Sequence, residues 1–151
     1  MQNEYDDEYA TCVETHAALR IVHDNLDPEE ITQQIGIPPT WAWRKGQLRP
    51  NGNVISPIGI WGLTTDFMKS QDIRRHLDWL IDQMNGKEEL LKELQAQGYR
   101  MDVFCYWLSN GQGGPTISPR NMRGLANLGV ELGFDFWMYG DDENDAQNEA
   151  A

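Results

Sequence analysis

A single α+β domain is the fold class this sequence predicts, and three observations carry it. Four stretches of strand length alternate apolar with polar residues or run apolar. Helix-start and helix-stop residues bracket the intervals between them. A chain of 151 residues with 40% hydrophobic content and six Trp fills one core but not two. The expected arrangement is two strand-helix-strand units forming a four- or five-stranded, mostly antiparallel sheet with helices on one face, ferredoxin-like in character.

Residues 11–23, TCVETHAALRIVH, read as the first strand. Val13, Ala17, Leu19 and Ile21 fall on one side, and Cys12, Glu14, His16 and Arg20 on the other. LDPEEITQQIG follows as a short helix with both ends written in. Asp27 is the cap, Pro28 suits the first turn, Leu26 and Ile31 are spaced as a hydrophobic staple, and Gly36 supplies the left-handed stop. SPIGIWGLTT at 56–65 is the next strand. In DIRRHLDWLIDQM, Ile73, Leu77, Leu80, Ile81 and Met84 form one apolar helical stripe, and KEELLKELQAQ is a second helix ended by Gly98. The second unit repeats the first: the strand YRMDVFCYWL, a helix capped by Ser118-Pro119 and stopped by Gly129, then the strand VELGFDFWMY.

Charge divides the chain into a body and two ends. The formal net charge is −12, but residues 1–9 hold four acids, residues 141–151 hold five, and neither end has a base. The body therefore carries 15 acids against 12 bases. Both ends are expected to be disordered, with a single domain over residues 10–140 between them. An acidic balance repels phosphates, so nucleic acid is excluded as an expected partner. No apolar run approaches the ~20 residues a bilayer span needs, and the first residues do not read as an export leader. A soluble, cytoplasmic protein without membrane contact is expected.

The run LDPEEITQQIGIPPTWAWRKG, then IGIWGL, a helix pair, a strand opened by Gly98-Tyr99 and the SNGQGGPTISP loop together resemble a bacterial family known as domain of unknown function 4279. The resemblance spans roughly residues 10–139 and rests on Asp27, Pro28, Gly36, Pro39, Trp43, Lys45, Gly46, Trp61 and Pro119. It implies a small α+β domain and brings no catalytic residues with it.

The residues themselves point away from catalysis. No G-x-S-x-G is present, and nothing near Cys12 or Cys105 would depress a thiol pKa. Those thiols, placed on opposite faces of the sheet, are expected to stay reduced. The two Cys and three His show no paired ligand spacing, and Cys12 and His16 lie about 13 Å apart along a strand. No metal, no cofactor and no enzymatic activity are expected. The loop SNGQGGPTIS leads into a helix N-terminus and makes Gly113, Gly114, Ser118, Arg120 and Arg123 candidates for holding an anion. It lacks the lysine of a phosphate loop.

The more informative feature is the sheet face away from the helices. Alternation puts Phe104 and Tyr106 there, with Asp135, Trp137 and Tyr139 from the last strand and Glu14, His16 and Arg20 from the first. PPTWAWRKGQLRPNG, with Trp43, Arg44 and Lys45, is expected to border this face as a lid or edge segment. Aromatic anchors rimmed by charge suit a protein partner. The first functional reading is a non-enzymatic protein-binding domain, an immunity or antitoxin-like factor that neutralises a basic toxin or effector. Its candidate contacts are Glu14, His16, Trp43, Arg44, Lys45, Phe104, Tyr106, Asp135, Trp137 and Tyr139. A small-molecule or anion-binding domain or uncatalogued enzyme, using Arg44, Arg120 or Arg123, and a structural homodimer are the alternatives.

Overall fold

A computed structural model describes residues 4–50 and 52–140. Its elements in chain order are β1 (Cys12–His23), α1 (Pro28–Ile35), β2 (Trp41–Trp43), β3 (Gly59–Thr64), α2 (Ile73–Gln83), α3 (Glu88–Ala96), β4 (Arg100–Ser109), α4 (Pro119–Leu128) and β5 (Glu131–Met138). The strands form one sheet in the order β2-β3-β1-β4-β5. Three neighbouring pairs are antiparallel, and only β4 and β5 run parallel. This is the expected mostly antiparallel α+β sheet with a helical layer on one face. Its ferredoxin-like character lies in that layering.

Parity in β1 and β4 builds the core. Leu19 stands opposite Leu63 and Val103, Ile21 opposite Trp61 and Met101, and Ala17 opposite Cys105. All of these side chains are buried. Because the register pairs odd positions with odd, they share one face, and every helix covers it. Ile31 and Ile35 come from α1, Ile73, Leu77 and Leu80 from α2, Leu91 and Leu94 from α3, and Leu125 and Leu128 from α4. Each such side chain contributes about 1.5–3 kcal/mol of transfer free energy.

The helix signals act as written. Asp27 accepts from the backbone N–H groups of Glu29 and Glu30, and Ser118 forms a reciprocal box with Asn121. Gly36 and Gly129 end α1 and α4 at φ 78° and 70°, a left-handed geometry that costs a side-chain-bearing residue energy. The two strand-helix-strand units nevertheless differ. α4 carries the chain back between parallel neighbours, the ordinary crossover. After α1, residues 41–58 intervene, and β3 returns antiparallel to β1.

Three expectations are corrected. Cys12 does not lie on the polar side of β1. A register irregularity between Cys12 and Glu14 inserts one residue, so Cys12 pairs with Ser109 and turns to the core. Both cysteines are free and buried on that face, and burial pushes Cys12 up to about 11 and Cys105 up to about 12. In β5, alternation predicts a core side of Leu132, Phe134, Phe136 and Met138; Leu132 and Phe134 pack against the core, but Phe136 and Met138 are 61% and 47% exposed, because the strand runs past the helical layer. Residues 4–9, expected to be disordered, lie along α2. The Tyr5 hydroxyl donates to Asp78 (2.5 Å), the Asp6 N–H to buried Asp72 (2.7 Å), and Arg75 grips both carboxylate oxygens of Asp7 (2.8 and 2.9 Å). Tyr9 then packs edge-on against Trp107. Residues 1–3 and the expected acidic tail at 141–151 lie outside the described residues. Among the described residues no helix is long and apolar enough to cross a membrane.

A buried polar chain ties β1 to α2. The Ala17 N–H donates to Thr65 Oγ1 (2.9 Å), which lies 2.6 Å from His76 Nδ1, and His76 Nε2 lies 2.7 Å from the Ser70 carbonyl. A carbonyl only accepts, so Nε2 carries the proton and Nδ1 takes the Thr65 hydroxyl. Burial lowers the His76 pKa below its ordinary 6.5, against the Ser70 bond, which raises it. The unfolded chain binds a proton near pH 6.5 that the folded chain refuses, so this stability is complete above that pH and declines below it. Asp7 is held below 3.8 by Arg75 and Ser70. At Asp72 burial pushes upward but is outweighed by Arg74 and the Asp6 N–H. Their contribution persists above 3.8 and is lost as pH falls through their depressed native values. Urea midpoints are therefore expected to drop in two stages on acidification, with His76→Gln abolishing the upper one. A wild-type midpoint unchanged between about pH 7 and about pH 5 would contradict this assignment.

Candidate functional site

The even positions of the central strands face away from the helices. Cα pairing aligns His16 with Tyr106, Ala18 with Phe104 and Arg20 with Asp102 across β1 and β4, and Tyr106 with Asp135 across β4 and β5. On the other side, Trp41 and Trp43 of β2 stand opposite Gly62 and Ile60 of β3. Both indoles are half-buried. The connection from β2 to β3 then forms a small ladder: Leu48 bridges Ile55, the Arg49 N–H donates to the Val54 carbonyl (2.8 Å), and the Ser56 N–H to the Gln47 carbonyl (2.8 Å). This hairpin walls the face and leaves a groove of about 770 Å³.

Missing side chains shape the floor. A Cβ at Gly62 would come 2.4 Å from the Trp41 ring, and one at Gly133 would come 3.3 Å from Phe104. Gly62 thus lets the Trp41 indole lie flat on β3. The remaining rings are held by stacking: His16 on Tyr106 with centroids 5.0 Å apart, and the Arg20 guanidinium 4.4 Å above Phe104. Arg20 also donates through Nε (2.8 Å) and Nη2 (2.6 Å) to the two Asp102 oxygens, a bidentate pair that raises its pKa. Burial, then Glu14 and Asp135, raise the Tyr106 phenol above its ordinary 10.0, so it stays protonated and serves as a neutral hydrogen-bonding group.

The candidate residues divide accordingly. His16, Trp43, Phe104, Tyr106 and Asp135 come together in the groove. Glu14 lines an adjacent recess with Asp66 and Ser70, and Trp137 and Tyr139 are exposed farther along the chain. Arg44 is drawn to the α1 N-terminus, donating to Asp27 (3.0 Å) and to Glu29, while Lys45 pairs with Asp24 (3.5 Å). Of the anion candidates, Gly114 accepts the Tyr9 hydroxyl (2.8 Å), and Gly113 sits against Thr11. Ser118 accepts the Asn121 N–H (3.0 Å), Arg120 donates to Asp82 (3.3 Å), and Arg123 is exposed on α4. Sequence reasoning missed Trp41, Arg49, Val54 and Asp66 as groove residues. The alternation of Trp41 with Trp43 around a small Ala42 was the signal available for the first; the hairpin ladder has no local signature.

Chemically the groove offers aromatic surface, one unstacked guanidinium and two carboxylates. Among the described residues its lining holds no serine, cysteine or lysine, and its one aliphatic hydroxyl, Thr64, accepts the Asp66 N–H (3.0 Å). No cluster of three or more His, Cys, Asp or Glu among the described residues is placed to hold a metal ion.

Fold and face together define a small one-sheet α+β domain with its helices on one side and a concave aromatic surface on the other. The sequence model of the family described as domain of unknown function (DUF4279) matches residues 13–139, and the chain belongs to that family. No curated protein and no solved structure matches the chain.

Gly62→Ala is expected to displace the Trp41 indole, costing about 1–3 kcal/mol of stability and changing tryptophan fluorescence. An unchanged urea midpoint and emission spectrum would show that the ring does not depend on the glycine.

Proposed function

We propose that this domain is a non-enzymatic protein-binding module that seats a segment of its partner in the sheet-face groove. The observation that carries the reading is the groove itself, where four aromatic side chains and a histidine from three strands share one concave surface under a preformed hairpin wall. Stacked rings of this kind are low in residual entropy and suit anchoring of apolar side chains. An immunity or antitoxin-like role in the cytoplasm, with a basic effector as partner, is the form that the net charge of −12 favours. The test titrates a basic effector, taken from a neighbouring toxin-like gene where one exists, calorimetrically into the purified domain. Trp43→Ala with Tyr106→Ala is expected to weaken binding by about 30-fold or more, and added salt to slow association. Undiminished affinity in the double variant moves the contact off the groove.

A homodimer is the second reading, favoured by β5. This edge strand ends in Phe136, Trp137 and Met138, with Tyr139 following, all exposed. Light scattering is expected to give a dimer mass that falls to the monomer mass in Trp137→Lys. A wild-type monomer at high concentration removes this reading.

A further inference from the structure

Seven of the twelve cations of this protein hold carboxylates of the chain itself, and of those without one among the described residues, Arg49 stands in the groove. Arg20, Arg44, Arg74, Arg75 and Arg120 each hold an Asp or Glu. Arg49 holds no carboxylate among the described residues: its one side-chain hydrogen bond among them runs from Nη2 to Ser56 Oγ at 3.4 Å, and its Nε is buried without an acceptor. A guanidinium charge left unmatched at a partly desolvated wall costs free energy, which an incoming anion recovers. The wall is also preorganised. Backbone hydrogen bonds joining 46–49 to 54–56 fix the Arg49 stem, and Ser56, which receives its weak bond, is itself tied to the Ile58 carbonyl (2.7 Å).

We infer that the partner segment entering the groove presents a carboxylate to Arg49 beside an apolar or aromatic side chain that lies on the aromatic floor. The inference rests on the binding function proposed above and specifies the chemistry of the occupant, an acidic peptide. Charge complementarity decides its orientation. Asp66 and Asp135 also line the groove, and they repel a carboxylate elsewhere along it, leaving Arg49 as the place where one is accepted. A carboxylate here does not conflict with a partner that is basic as a whole. Net charge governs long-range attraction, while local pairs set register.

The probes are acetyl-Ala-Phe-Glu-Ala-amide and its Gln twin, titrated against the full chain by tryptophan fluorescence, with Trp41 and Trp43 as reporters. The Glu peptide is expected to bind about tenfold tighter than the Gln peptide. Arg49→Met should reduce that ratio to about one, Arg49→Lys should restore part of it, and Arg123→Met should leave it unchanged. Equal affinities in the wild type overturn the inference, as does absence of binding by both peptides up to about 10 mM. In either case the effector titration with the Trp43 and Tyr106 variants still judges the groove separately. Competition by 3-phenylpropionate as effective as the Glu peptide overturns the peptide as occupant and assigns the groove to a free aromatic acid.

Discussion

The register of β1 between two antiparallel neighbours is the constraint on which the rest of this structure depends. With Leu19 opposite both Leu63 and Val103, odd positions of three adjacent strands point into the helical layer and even positions point out of it. Slipping β1 by one residue against its neighbours would send Arg20 toward the core and Leu19 and Ile21 toward water, a loss of several kcal/mol. The single departure from this parity, the bulge at the start of β1, turns Cys12 inward at the point where the strand leaves the centre of the sheet.

One-sided burial also creates the groove. A sheet whose second face lacks a helical layer must cover that face with its own side chains, and here stacking does so: His16 on Tyr106, Arg20 over Phe104, Trp41 over Gly62. Each ring shields its neighbour while keeping one edge in the groove. The hairpin between β2 and β3 adds a wall, and the result is concave where an unadorned sheet would be a twisted but open surface.

Charge is arranged by the same economy. Arg75, Arg74 and Arg120 organise the acids on and around α2, including the N-terminal residues that lie along it, and Arg44 and Lys45 close on acids near α1. Two of the three cations in PPTWAWRKGQLRPNG are therefore matched by acids in place. What distinguishes Arg49 among the cations without such a partner is its place in the groove and a buried Nε without an acceptor.

Much of the fold was legible in the sequence, because it is encoded by short-range regularities. Period-two alternation in β1 and β4, the cap residues Asp27 and Ser118, and the stripe Ile73, Leu77, Leu80, Met84 each need only local geometry to act, and each appears where it was expected. The aromatic face followed from the same alternation, and His16, Phe104, Tyr106 and Asp135 were found from it. Residues 4–9 were misread because acidity suggests disorder only when the complementary bases are out of view, and Arg75 lies 68 positions away from Asp7. By itself the sequence determined which side chains share a face, since that follows from backbone periodicity. Only the tertiary structure decided which charges are already paired and which stand open, because ion pairs join residues whose proximity is set by strand order and helix packing, and no local pattern records it.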